Sequence, residues 1–238
     1  MTEKTYYDDP YLREIEANII SIDNNGIVLD RTIFYPEGGG QIGDSGTISN
    51  IKVCDTQKKI TASTKSLFHP DFPVIQINSD VLHICENFPN ECELEPGSKV
   101  KIRIDWEKRY RIMRYHSAAH VAYFYAMDIL QNPHVKGCKI DQKSARFDFK
   151  CKITSDHVAE IESLSNSFIK KKYDIWAQPL HDEPEAIYWK CHDISIPCGG
   201  LHVKNTDEIG PVQLRRRSQG KSIDRLYISI SEEEALND

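Results

Sequence analysis

Apolar residues in the first hundred positions recur in short runs broken by turn formers, a pattern of strands. Ile15–Ser21 and Ile27–Asp30 flank Asn24-Asn25-Gly26, a sequence that favours a tight hairpin turn. Thr47–Val53 predicts a further strand. Val74–Ile77 and Val81–Ile84 predict a second hairpin around Asn78-Ser79-Asp80. Ser98–Ile104 alternates with period two after the turn Glu95-Pro96-Gly97. Many short antiparallel strands joined by turns predict a small antiparallel β-barrel.

The period changes at Trp106. No Pro or Gly interrupts Trp106–Met127, so the stretch predicts a helix, with Asp105 placed to cap it. Asn132-Pro133-His134 and Gly137 read as a loop, and Ser144–Phe149 as a half-buried strand in which Arg146 and Asp148 alternate with Phe147 and Phe149. Thr154-Ser155-Asp156 opens a helix with Val158, Ile161, Leu164 and Phe168 on one face, closed by Lys170–Lys172 at its carbonyl end. Strands follow at Tyr173–Gln178, around Ile187–Trp189, at Ile209–Leu214 and at Ile223–Ile230, before the acidic Glu232–Glu234. The expected class is α+β. The expected division is a barrel domain over 1–97 and a second domain of strands on helices over 98–238.

Composition narrows the function classes. The 238 residues, 39% hydrophobic and 28% charged, suffice for one or two ordinary globular domains. No apolar run reaches membrane-spanning length, and the polar, acidic start Met1–Pro10 is unlike a secretory signal, so a cytoplasmic protein is expected. Seven scattered cysteines, an odd number, suit reduced thiols better than a disulfide framework. The net charge of −6 argues against wholesale coating of nucleic acid but leaves room for a local basic stripe. No Rossmann or P-loop fingerprint is present, so ATP is not expected.

Two ligand pairs carry the chemistry. His116 and His120 lie four apart on the predicted helix, where their side chains stack on one face. A bare pair of this kind among nine histidines is a weak signal. Cys198 and His202, separated by Gly199-Gly200-Leu201, complete a His3Cys set of the kind zinc prefers and magnesium or calcium does not. Of the seven cysteines only Cys198 has such surroundings; the others read as small hydrophobes. Phe34–Gly46 holds five glycines in thirteen residues, and with Pro36, Gln41 and Asp44 it reads as a shaped turn that approaches a ligand. Arg215, Arg216, Arg217 and Lys221 form a basic cluster suited to phosphates, or equally a solvated strand end.

Taken in order, Gly38-Gly39-Gly40-Gln41, His116-x-x-x-His120, Arg146–Phe149, Cys198-x-x-x-His202 and Thr206-Asp207-Glu208-Ile209-Gly210 resemble the free-standing alanyl-tRNA editing proteins. These are relatives of the editing domain of alanyl-tRNA synthetase, and the length resembles their medium-sized members. The resemblance covers nearly the whole chain. It implies a barrel followed by an α/β-sandwich editing domain of the threonyl/alanyl-tRNA synthetase second-additional-domain type. It implies hydrolysis of serine or glycine from alanine tRNA, with zinc on His116, His120, Cys198 and His202. It also implies a substrate-handling role for Gly38, Gly39, Gly40, Gln41, Gly199, Gly200 and Thr206. Ala119, Leu201 and Asp207 depart from the family's usual Thr, Thr and Gly. Two other readings stand beside an enzyme acting in trans: a tRNA-binding module with a structural zinc, and a zinc hydrolase of small esters or amides.

Overall fold

The computed structural model describes residues 1–23, 26–86, 94–220 and 222–231. Asn24, Asn25, Lys221 and Glu232–Glu234, all singled out above, and Cys92, one of the seven cysteines, lie outside the described residues. The chain is α+β, mostly sheet, with two α-helices among the described residues. It divides into two compact units. The first holds 1–38 and 42–109, and the second holds 39–41 and 110–238.

The first unit contains β1 (Glu3–Lys4), β2 (Glu14–Asp23), β3 (Gly26–Leu29), β4 (Arg31–Thr32), β5 (Gly46–Ile48), β6 (Ile51–Lys59), β7 (Lys65–His69), β8 (Phe72–Ile77), β9 (Asp80–Cys85) and β10 (Lys99–Ile104). Six of these pair cyclically in the order β10-β2-β3-β9-β6-β5, with β5 returning to β10. Alternation drives the closure: Val100, Ile102 and Ile104 of β10 point inward with Ile19, Ile27, Leu29, Ile48 and Val53, while Lys99, Lys101 and Arg103 face water. Because β10 pairs with both β2 and β5, the unit runs past the boundary expected at 97 to Arg109.

Two strand expectations are corrected. Thr47–Val53 is no single strand; it turns back at Ser49, whose φ of 50° is left-handed, so that β5 pairs with β6. The second expected hairpin does not form. β8 pairs with β7, whereas β9 joins β3 and β6, so the two strands flanking Asn78–Asp80 enter different sheets.

The glycine-rich loop is shaped as expected, by a buried ion pair within the first unit. Asp44 accepts the Tyr35 backbone N–H at 2.6 Å and pairs with Arg109, both side chains being almost wholly buried. Arg109 also donates to the backbone carbonyls of Pro10 at 3.0 Å and Ile33 at 2.5 Å.

The second unit begins within α1 (Trp106–Ile129), whose Asp105 caps the Lys108 N–H at 3.1 Å. A four-stranded sheet, β11 (Val135–Ile140), β12 (Ala145–Phe149), β17 (Asp224–Ile230) and β16 (Val212–Ser218), follows in that spatial order. The loop expected around Gly137 is instead β11, bulged between Val135 and Gly137. α2 (Ser155–Ile169) is opened by Thr154, which exchanges hydrogen bonds with His157 in a capping box. Asn166 and Glu162 of α2 accept the outward N–H groups of Val212 and Leu214, covering that part of the β16 edge. A three-stranded sheet of β13 (Ile175–Leu180), β14 (Glu183–Cys191) and β15 (Ile194–Pro197) precedes Cys198. No helix among the described residues is long and apolar enough to cross a membrane.

Candidate metal centre

Helical spacing on α1 sets the His116 and His120 rings edge to face, their centroids 4.9 Å apart. Cys198 follows directly on β15, and its backbone N–H reaches Ile187 of β14 at 2.8 Å, extending the pairing by one bond. The glycine turn then doubles the chain back. His202 stands with its ring centroid 4.2 Å from His116 and 4.5 Å from His120. The Cys198 sulfur lies 3.4 Å from His116 Nε2 and 3.6 Å from His202 Nε2. One donor atom from each of the four residues lies within 4.8 Å of the others.

Charge decides what such a cluster can hold. Burial drives His116 down to about 3 and holds His120 and His202 well below the ordinary imidazole value, so all three are neutral and offer lone pairs. Burial pushes the Cys198 thiol up to about 12, against the Gly200 N–H that points at the sulfur from 3.3 Å. Three neutral rings cannot compensate a thiolate. A divalent cation can, and thiolate plus imidazole is a soft-to-borderline donor set. Nδ1 of His120 is buried without a hydrogen-bond partner among the described residues. The four side chains fit a metal ion.

Two polar residues set the ring orientations. The Gln41 amide oxygen accepts the Leu201 N–H at 3.0 Å and meets His116 Nδ1 at 2.7 Å. Nδ1 therefore carries the proton, and the Nε2 lone pair faces the sulfur. The Ser117 hydroxyl accepts the Val203 N–H at 3.2 Å and lies 3.2 Å from His202 Nδ1. Trp189 of β14 walls the cluster with its ring 4.8 Å from His120. Ser117 and Trp189 were not foreseen, and neither stands in a sequence pattern that marks it.

The glycines matter through close approach. A Cβ on Gly200 would lie 2.1 Å from His116 Cε1. Gly40, at φ +86°, passes so close to Cys138 that a Cβ would meet its sulfur at 2.5 Å. The Ile140 N–H donates to the Gly40 carbonyl at 2.7 Å, and Gln41 bridges to Ile140. This fixes the Gln41 side chain beside His116.

The remaining expected residues are placed differently. The Gly38 carbonyl accepts the Tyr35 hydroxyl at 3.3 Å, Gly39 takes φ +60°, and Gly199 is a partly exposed member of the Cys198 turn. Thr206 was expected to take part in substrate handling. It is fully buried, its hydroxyl donating to Ile169 O and accepting the Tyr173 N–H, both at 3.0 Å. The arginine triplet is split by strand alternation. Arg215 lies over the Tyr227 ring at 5.1 Å, whereas Arg216 reaches Asp224 at 3.8 Å. Ala119 and Leu201 are both buried.

Gln41→Ala is expected to weaken metal affinity about 10–100-fold, the usual effect of removing a partner that orients a ligand. Competition with a chromophoric chelator measures it, and an unchanged affinity would deny Gln41 that role. Acid provides a second check. Burial also lowers His83 of β9 to about 4, so four histidines have folded pKa values below their unfolded value near 6.5. A depressed pKa gives stability that is full above 6.5 and is lost as pH falls from there toward 4 and 3. Each such group contributes a slope of up to about 1.4 kcal/mol per pH unit in that window. The chelated protein should therefore show a urea midpoint that falls steeply from pH 6.5 to 4.5; a flat midpoint would contradict the burial of these rings.

The chain matches two family models: tRNA synthetases class II (A) over residues 6–108, and the threonyl and alanyl tRNA synthetase second additional domain over residues 190–227. It is 32% identical over 233 residues to an alanyl-tRNA editing protein of Pyrococcus horikoshii, covering 95% of this chain and 96% of that one. Alanine–tRNA ligases of Saccharolobus islandicus and Sulfurisphaera tokodaii are 32% and 33% identical over 90% of this chain. The chain spans only about a quarter of those ligases, 25% and 24% of their lengths.

Proposed function

Because the chain belongs to the family of alanyl-tRNA editing proteins, we propose that it acts in trans on alanine tRNA carrying the wrong amino acid, hydrolysing the ester to serine or glycine. The observation that carries the metal-dependent form of this reading is the convergence of His116, His120, Cys198 and His202 from two distant stretches of chain. Zinc is the ion we assign, since a His3Cys donor set of neutral imidazoles and one thiolate matches it better than a hard cation. Held by His116, His120, Cys198 and His202, zinc would supply Lewis acidity for ester hydrolysis.

The chain's own residues do the rest. Gln41 and Ser117 hold His116 and His202 in the tautomers that turn Nε2 toward the sulfur. The Gly200 N–H steadies the thiolate. Trp189, buried against His120, keeps bulk water from that side of the cluster. The editing domain in this reading is the second-additional-domain-type sandwich, the barrel and its glycine loop assist substrate handling, and the protein works in the cytoplasm.

Four protein donors fill a tetrahedral set, which also suits a structural zinc in a tRNA-binding module. One experiment separates the two. Alanine tRNA charged separately with serine, glycine and alanine is incubated with the zinc-loaded protein, with and without chelator. Fast loss of serine or glycine, slow loss of alanine and inhibition by chelator are expected. No loss of any would leave the binding module; equal loss of all three would mean that the pocket around Ala119 and Leu201 does not discriminate.

A further inference from the structure

The four-stranded sheet of the second unit has one apolar and one cationic face. Phe147, Phe149, Leu226, Ile228 and Leu214 point to the buried side. On the opposite side the strand register aligns Lys139, Arg146, Tyr227 and Arg215 in one row across β11, β12, β17 and β16. The adjacent row aligns Asp148, Arg225 and Arg217. Five cations thus share this face with two carboxylates, Asp148 within the rows and Asp141 beside Lys139 at 3.6 Å, in a chain whose net charge is −6.

The arrangement is held open and rigid. Asp148 takes Arg146 at 2.7 Å and Arg225 at 2.5 Å, so the acid fixes two guanidiniums. The Tyr227 ring lies between the guanidiniums of Arg215 and Arg225, at 5.1 and 5.7 Å from its centroid. Arg215 and Arg217 are exposed, and Lys139 keeps 52% of its side-chain surface in water. With strands about 4.8 Å apart, the patch is about 14 Å across. Planar guanidiniums on a flat, rigid support match phosphate oxygens. The Tyr227 ring is flanked by arginines, and no large apolar side chain sits in either row, which suits a sugar–phosphate backbone and not bases, a protein or an acyl chain.

We propose that this sheet face, centred on Lys139, Arg146, Arg215, Arg217, Arg225 and Tyr227, docks the phosphodiester backbone of the tRNA substrate. The inference rests on the deacylase reading for its partner and replaces the linear run 215–217 by a patch built across four strands. Arg216, turned to Asp224, is not part of it.

The test uses the full-length, zinc-loaded protein and uncharged alanine tRNA, with binding followed across a salt series. Arg215→Glu/Arg217→Glu should weaken binding by at least about ten-fold and flatten the slope of log K against log salt by about two, one unit per lost phosphate contact. Lys139→Glu, at the far end of the patch, should flatten it by about one. In deacylation the loss should fall in KM. Unchanged affinity and slope in both variants would overturn the proposal, as would a loss confined to phosphatidylserine vesicles with tRNA binding intact. Failure of the deacylase reading would look different: wild-type protein would bind tRNA through this face, with the same variant effects, yet remove no amino acid.

Discussion

Gly200→Ala is expected to empty the metal centre. The new Cβ would stand 2.1 Å from His116 Cε1 and 2.6 Å from its Nδ1, well inside contact distance. The Gln41 amide oxygen that holds His116 Nδ1 would itself stand 3.0 Å from the new Cβ, and His116 is carried by a buried helix face, so the ring cannot retreat without losing the 2.7 Å bond that sets its tautomer. Bound zinc measured by elemental analysis should fall below one per chain, and deacylation should drop by more than about 100-fold, beyond what loss of one orienting partner produces. Gly137→Ala serves as the comparison, since a Cβ there meets nothing within 4 Å, and it should keep its metal. Full zinc occupancy in Gly200→Ala would mean that His116 is not a ligand.

The second large effect is on stability. Arg109→Leu removes the partner of Asp44 inside the first unit and leaves a carboxylate with almost no exposure uncompensated. The expected loss is about 3–5 kcal/mol, or on the order of 10 °C in Tm for a chain of this size. Asp44→Asn combined with Arg109→Met should recover much of it, because a buried ion pair is costly mainly when broken on one side. Urea denaturation of the three proteins decides the matter. A single-variant loss below about 1 kcal/mol would mean that water reaches the pair.

The His116, His120, Cys198 and His202 cluster was legible because helical period and a short glycine turn fix its two halves locally. His116 and His120 need only a helix, and Cys198 and His202 only a turn, to be recognised as pairs. The six-strand pairing in the first unit was partly legible through period-two runs such as Ser98–Ile104, which forms β10. What failed were choices of partner. Asn78–Asp80 has the chemistry of a hairpin turn, yet β8 finds β7 upstream and β9 finds β3 and β6. Turn residues bend a chain without saying which sheet the next strand joins. Ser49 hid the β5–β6 turn because it adopts a left-handed conformation more typical of Gly or Asn. Gln41 was noticed for its glycine neighbours, but its bond to His116 spans 75 residues and leaves no local trace. The arginine triplet was legible as a run but not as a surface. Consecutive residues on a strand face opposite ways, so a run in sequence is not a patch in space.

The Gln41 side chain also has a consequence for the order of events during folding. It binds residues 75 and 160 positions further along the chain, and Ser117 reaches Val203 across 86. Contacts of such separation carry the largest loop-closure entropy and form late. During synthesis Gln41 leaves the ribosome first and Cys198 with His202 much later, so the first unit can be folded before the last two ligands exist. Under the proposed zinc reading, metal capture becomes the closing step of folding, and the rate at which refolding chain takes up added zinc is expected to report the arrival of its C-terminal third.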